Sequence, residues 1–213
     1  MICKSCNGLP WSTRYRGPVC KDCGGTGKIG NNIWFTADLH LGHTNIIKYC
    51  RRPFGSAEEM NEVILERFNS VISPGDPLYI VGDLCWSGFD AVVWLKLLKT
   101  KELHLILGNH DCSGEGKPLK HIPTEMFRSV GHFKRITPEG RQVFMCHYPM
   151  VSWRNRSHGA YHLYGHVHGN YISPVRAMDV GVDTNGFMPY NWEDIKKYME
   201  PRPAYAPKEH NEL

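Results

Sequence analysis

Apolar residues fall in short blocks whose spacing alternates between strand and helix. Asn32 to Ala37 (NIWFTA) is a compact apolar run predicting a strand that leads straight into Asp38-Leu39-His40. Ser56-Ala57-Glu58-Glu59 has the form of a helix capping box, and Met60, Val63, Ile64, Phe68, Val71 and Ile72 follow at helical spacing, predicting a helix with one face on a sheet. Leu78–Val81 reads as the next strand, Ala91–Lys99 as a helix and Leu103–Leu107 as a third strand. This rhythm predicts an α/β fold with a crossover-connected, at least partly parallel sheet. Beyond Val130 strands dominate, at 131–136, 142–147, 161–165 and 176–181, and a last short helix is expected over 191–199 with Asn191 as its cap.

The two ends read differently. The first 23 residues show no sustained periodicity and lead into Gly24-Gly25-Thr26-Gly27, so residues 1–30 form a separate small module with linker, 31–200 the main domain and 201–213 a proline-rich tail. Cys3-x-x-Cys6 and Cys20-x-x-Cys23 have metal-ligand spacing and predict one structural zinc, which would fold a segment too small for a core. Cys50, Cys85, Cys112 and Cys146 are scattered and read as free thiols. The net charge of +4 is concentrated in residues 1–30, where Lys4, Arg14, Arg16, Lys21 and Lys28 face only Asp22. Those cations either offset a four-thiolate zinc site or attract nucleic acid. No apolar run nears the roughly 18 residues of a membrane span, and no apolar stretch follows Lys4 as in a signal peptide, so the cytoplasm is the expected location.

Candidate chemistry collects where the predicted strands end. Asp38 and His40 follow the first strand, Gly82-Asp83 the second and Gly108-Asn109-His110-Asp111 the third; His147 ends a later one, and Gly165-His166-Val167-His168 follows another. In open α/β sheets ligands bind beyond the carboxyl ends of strands, so these residues can converge despite their separation. Each motif alone is a credible polar turn. Together they supply oxygen and nitrogen donors that suit Mn, Fe, Zn or Co better than Mg or Ca alone. A carboxylate can bridge two cations about 3.5–4 Å apart, a spacing suited to in-line displacement at phosphorus.

The ordered series Asp38-x-His40, Gly82-Asp83, Gly108-Asn109-His110-Asp111, His147 and Gly165-His166-x-His168 resembles the complete signature of calcineurin-like metallophosphoesterases, over about residues 33 to 190. The resemblance implies a four-layer α/β/β/α sandwich of two mixed sheets flanked by helices. It also implies two divalent transition metals, Mn foremost in vitro. Asp38, His40 and His168 would hold one and Asn109, His147 and His166 the other, with Asp83 bridging. His110 would lie beside the scissile bond and could protonate the leaving oxygen after attack by a metal-held hydroxide, and Asp111 would orient the His110 ring.

Departures from the family's protein phosphatases narrow the substrate. Asp83-Leu84-Cys85-Trp86-Ser87-Gly88 lacks the phosphate-clamping arginine found there, and Asp111 follows the Asn-His pair where those enzymes have Glu. The stretch Asp38 to Ile47 instead resembles compact bacterial and phage members, in which His43 and Asn45 would line the substrate side; His43 could equally cap the following helix. His162 reads as a packed or surface residue, and Trp86, Trp94 and Trp153 as core or rim aromatics, with Trp153 near enough to His147 in sequence to meet a substrate. Cys20 to Gly27 is similar to a J-domain chaperone repeat unit, but the first cysteine pair departs from that pattern after Gly8. The expected activity is hydrolysis of a phosphodiester or phosphomonoester, of a nucleotide or nucleic-acid end, with the basic N-terminal module as a possible contact. A broad small-molecule phosphatase and a non-catalytic interaction protein of the same fold are the alternatives.

Overall fold

The computed structural model describes residues 32–204. Cys3, Cys6, Cys20 and Cys23, with the whole expected zinc module, and the tail from 205 onward lie outside the described residues. Strand β1 (Trp34–Thr36) pairs in parallel with β2 (Leu78–Val81), β2 with β3 (Leu103–Ile106) and β3 with β4 (Ser129–Gly131), while β9 (Tyr190–Asn191) runs antiparallel along the far side of β1. The register matches Trp34 to Leu78 and Leu78 to Leu103, so β1, β2 and β3 end at one edge. A second sheet is ordered β5 (Lys134–Ile136), β6 (Val143–Met145), β7 (Tyr161–Tyr164), β8 (Ala177–Asp179), antiparallel only between β5 and β6.

Continuous apolar strands follow from burial on both faces. Trp34, Leu78, Ile80, Leu103 and Leu105 pack with residues of three helices, α1 (Thr44–Tyr49), α2 (Ala57–Val71) and α3 (Ala91–Leu97). Helix α2 contributes Met60, Ile64 and Phe68 at helical spacing, each worth about 1.5–3 kcal/mol when fully buried. The alternate residues Phe35, Tyr79, Val81 and Ile106 meet Val143, Met145, Tyr161, Leu163 and Met178 of the second sheet. At the start of α2, Ser56 accepts from the Glu59 N–H as predicted, but Glu59 reaches back to the N–H of Gly55 rather than that of Ser56. Helix α4 (Trp192–Met199) carries the reciprocal box, Asn191 with Asp194.

Two expectations are corrected. The predicted strand 131–136 is two strands in different sheets: β4 closes the first, β5 opens the second, and His132-Phe133 carries the chain across. Among the described residues the outer face of the second sheet is not covered by a helix. Trp153, Ala160 and Val175 from loops pack there on Tyr164 and Ala177, while α4 sends Trp192, Ile195 and Met199 into the core between the sheets. The structure is thus a mixed α/β fold of two mixed sheets, with its helical layer on the first sheet and a loop layer on the second.

The sheets also touch at their carboxyl ends. Ala37 bridges Gly181 in parallel, and the Val182 N–H donates to the Ala37 carbonyl at 3.0 Å. Loops leaving β1, β2, β3, β6, β7 and β8 therefore share one rim.

Candidate metal centre

Beyond the strands, parallel pairing continues through the loops. The Asp38 N–H donates to Gly82 O and the His40 N–H to Asp83 O, both at 3.0 Å. Several of the polar side chains turned inward from these tight loops stand on left-handed backbone. Asp38 (φ 56°), His40 (φ 51°), Asp83 (φ 56°), His166 (φ 71°) and His168 (φ 47°) are five of the nine non-glycine residues with positive φ among the described residues. Such conformations cost of order 1–3 kcal/mol each and persist where the surroundings enforce them, commonly at functional sites. Gly82 (φ 93°) and Gly108 keep the interior open, because a Cβ on Gly82 would overlap the His147 ring and one on Gly108 the Asp83 carboxylate.

The Asp83 carboxylate sits between two imidazoles, with Oδ2 3.5 Å from His40 Nε2 and 3.4 Å from His147 Nε2. Asp38, His40 and His168 present donor atoms all within 4.8 Å of one another, and so do Asp83, His147 and His166. Asn109 Oδ1 lies 3.1 Å from His147 Nε2, so it joins the second group. His40 is buried, yet neither of its ring nitrogens has a hydrogen-bond partner. Unpaired buried nitrogens are costly in a core but are what a metal-ligating imidazole presents. Burial holds the His40 pKa down to about 2, so the ring stays neutral with a lone pair available. Burial also pushes Asp38 up to about 7. For Asp83 burial is outweighed by the hydrogen bond and charge of His147 and by His40, which keep it below the usual carboxylate range. His147 moves the opposite way, to about 9, as Asp83 and Asp38 overcome its burial. The donors fit a divalent cation on each side of Asp83, with oxygen and nitrogen ligands; His40 is already neutral, and at His147 a bound cation would take the place of the ring proton that Asp83 and Asp38 favour.

A further shell orients these groups. His168 Nδ1 lies 2.7 Å from Asp183 Oδ2, and Asp183 takes a bidentate pair from Arg52, 2.8 Å to Nε and 2.7 Å to Nη2. Arg52 also donates to the carbonyls of Asp38 and Leu39. Asp179 accepts from the N–H groups of Gly169 and Gly181 at 2.8 Å each. The sequence offered no signal for Arg52, Asp179 or Asp183, since each lies outside the recognised motifs. Cys50 sits beside His168 and Asp183, and burial raises its thiol to about 11.

The expected role of Asp111 is corrected. Its buried carboxylate accepts from the backbone N–H groups of Asp83 (2.7 Å), Gly108 (2.8 Å) and Leu84 (2.9 Å), stitching the β2 and β3 loops together, and it does not orient the His110 ring. His110 is one-third exposed, its Nε2 4.0 Å from Asp83 Oδ2, and its backbone N–H donates to Asp83 Oδ1 at 2.9 Å. His43 stands at the N-cap of α1 but makes no side-chain cap bond; its ring instead lies beside those of His40 and His110. Asn45 is exposed on α1, and its side chain makes no hydrogen bond among the described residues.

Comparison with known proteins decides the family. The calcineurin-like phosphoesterase profile matches residues 32–208. The chain belongs to the calcineurin-like phosphoesterase family. The uncharacterized protein MJ1445 of Methanocaldococcus jannaschii is 32% identical over 177 residues, covering 79% of this chain and 91% of that protein. The gene 66 protein of Mycobacterium phage D29 is 27% identical over 202 residues, covering 81% and 94%. Among solved structures, a protein of unknown function, AQ665 from Aquifex aeolicus, superposes with a TM-score of 0.63 at 23% identity, covering 79% of this chain and 99% of that one, and so shares its fold. Membership of the calcineurin-like phosphoesterases implies divalent metal ions, and the two donor clusters about Asp83 are the candidate places for them. No helix among the described residues is long and apolar enough to cross a membrane.

Proposed function

We propose that this chain is a dinuclear metal-dependent phosphoesterase that hydrolyses a phosphodiester or phosphomonoester. The observation that carries the reading is the placement of Asp83 between His40 and His147, one carboxylate shared by two donor clusters. Asp38, His40 and His168 would hold one divalent transition metal, Asn109, His147 and His166 the other, with Asp83 common to both. When bound, such a pair supplies Lewis acidity toward the phosphoryl oxygens and lowers the pKa of water.

The chain's own residues do the rest. Hydrolysis places a water oxygen on phosphorus and releases the ester oxygen, which leaves easily only if it gains a proton. His110 is the group positioned to give it: its ring is partly open to solvent, while its backbone is fixed to Asp83. Asp111 fixes the loop bearing Asp83, and the Asp183–Arg52 pair fixes His168. Cys3, Cys6, Cys20 and Cys23 would hold a separate structural zinc, and a cytoplasmic setting fits this reading.

The test is turnover of aryl phosphodiesters and monoesters by the Mn²⁺-loaded protein. Activity should vanish on chelation and return with Mn²⁺. Activity on monoesters alone would favour a small-molecule phosphatase, and an inert metal-loaded protein would favour an interaction role. His110→Ala should cut turnover by roughly 10²-fold or more with metal content unchanged, the usual scale for a lost acid. Unaltered turnover would remove His110 from the mechanism.

A further inference from the structure

Two exposed aromatic rings flank the centre on its two sides, and neither has a part in holding metal or moving a proton. Trp86 follows β2. Its N–H is fixed to the Leu41 carbonyl at 2.9 Å, and its indole stacks on the His43 imidazole with centroids 4.0 Å apart and planes within 10°. The indole lies 5.4 Å from the His110 ring and leaves the residue 39% exposed. Tyr148 follows His147 at the end of β6. Its ring lies 4.8 Å from that of His166 and 5.2 Å from that of His147, and the residue is 46% exposed. Trp86 thus belongs to the His43–His110 flank and Tyr148 to the His147–His166 flank, with Asp83 between. Large amphipathic rings left open at the mouth of a histidine-lined centre suit stacking against flat π-systems.

We propose that the substrate is a phosphodiester joining two nucleosides, with Trp86 stacking the base of the leaving group and Tyr148 the base of the group that stays on phosphorus. The assignment of sides rests on the phosphoesterase reading above, because His110 gives its proton to the leaving oxygen and His110 lies beside Trp86. His43 backs the indole and holds it in place. A monoester has a group on one side of phosphorus only, and would leave one of the two rings unused.

Three Mn²⁺-supported substrates test this: thymidylyl-thymidine, bis(p-nitrophenyl) phosphate with a ring on both sides, and methyl p-nitrophenyl phosphate with a ring on the leaving side only. In the unmodified protein KM for the bis-aryl diester should be roughly tenfold below that for the methyl diester, the scale of one lost stacking contact. Tyr148→Ala should raise KM for thymidylyl-thymidine and the bis-aryl diester by about that factor, erasing the difference between the two aryl esters. Trp86→Ala should raise KM for all three diesters. Trp86→Phe and Tyr148→Phe, which keep a ring, should restore most of the loss and separate stacking from misfolding. Equal KM values for the two aryl diesters, or a Tyr148→Ala effect of the same size on both, would overturn the two-sided arrangement and leave the phosphoesterase reading standing. A metal-loaded protein inert toward all three and toward p-nitrophenyl phosphate would overturn that reading itself.

Discussion

The carboxylate of Asp183 couples the His168 ring to the guanidinium of Arg52, 2.7 Å from each. A partner on the far nitrogen of a ligand imidazole fixes its tautomer and raises its basicity, and losing it typically costs 10- to 100-fold in metal affinity. Asp183→Asn should therefore weaken Mn²⁺ binding by about that factor in a calorimetric titration. It should also destabilise the metal-free protein by about 3 kcal/mol in urea, because the fully buried Arg52 side chain loses its counter-charge. Wild-type Mn²⁺ affinity would remove Asp183 from the centre.

Gly75 and Gly82 separate backbone strain from crowding. Both have strongly positive φ, 86° and 93°, so alanine strains the backbone at each, by about 1 kcal/mol. A Cβ on Gly75 meets nothing within 4 Å, whereas one on Gly82 overlaps the His147 ring. Gly75→Ala should lose about 1 kcal/mol of stability and keep full turnover. Gly82→Ala should lose more stability and most of its metal, as measured by elemental analysis of the dialysed protein. Equal behaviour of the two would mean that His147 tolerates displacement.

The parts of this centre legible in the sequence were those written as strand followed by turn. Asp38, Asp83 and Asn109 each follow an apolar block, and parallel pairing in register delivers them to one edge. Arg52 and Asp183 were invisible because they are 131 residues apart and meet only when the turn after α1 and the loop after β8 close on the same rim. Asp111 was legible as a site residue but not in its role, since adjacency to His110 says nothing about which way a carboxylate points from a tight turn. The break between β4 and β5 was hidden because both strands are only half-buried, so the pattern through Gly131-His132-Phe133 carries no change of period. Strand β9, two residues long, is too short for any periodicity.

Asp111 offers a test of position against proton transfer. Its three accepted N–H bonds hold Asp83, Leu84 and Gly108, and none reaches the His110 ring. Asp111→Asn turns one accepting oxygen into a donor facing a backbone N–H, leaving at least one buried donor unpaired at about 1–3 kcal/mol. Stability and turnover should both fall, while the pH profile of the residual turnover keeps its shape, because the proton donor is untouched. A shifted limb in that profile would restore the ring-orienting role.

His162 should make stability depend on pH in a window set by its burial. The fully buried ring lies with Nδ1 3.1 Å from the Phe144 carbonyl and Nε2 accepting from the Met150 N–H at 3.2 Å, an arrangement that suits the neutral form. Burial lowers its pKa from 6.5 to about 4, against the opposing pull of the Phe144 and Tyr148 carbonyls. Between those values the unfolded chain binds the proton and the folded one does not, so stability rises with pH. The contribution is complete above pH 6.5 and is lost as pH falls toward 4, reaching about 3 kcal/mol. Buried Asp38 and Asp111, whose pKa values are raised, act in the opposite sense, so the informative quantity is the difference between the unmodified protein and His162→Gln. Urea unfolding of both from pH 7.5 to 4.5 should show that difference shrinking steadily below pH 6.5, since only the unmodified protein pays for keeping an uncharged imidazole inside. A difference independent of pH would mean that the folded protein takes up the proton at His162 as readily as the unfolded chain.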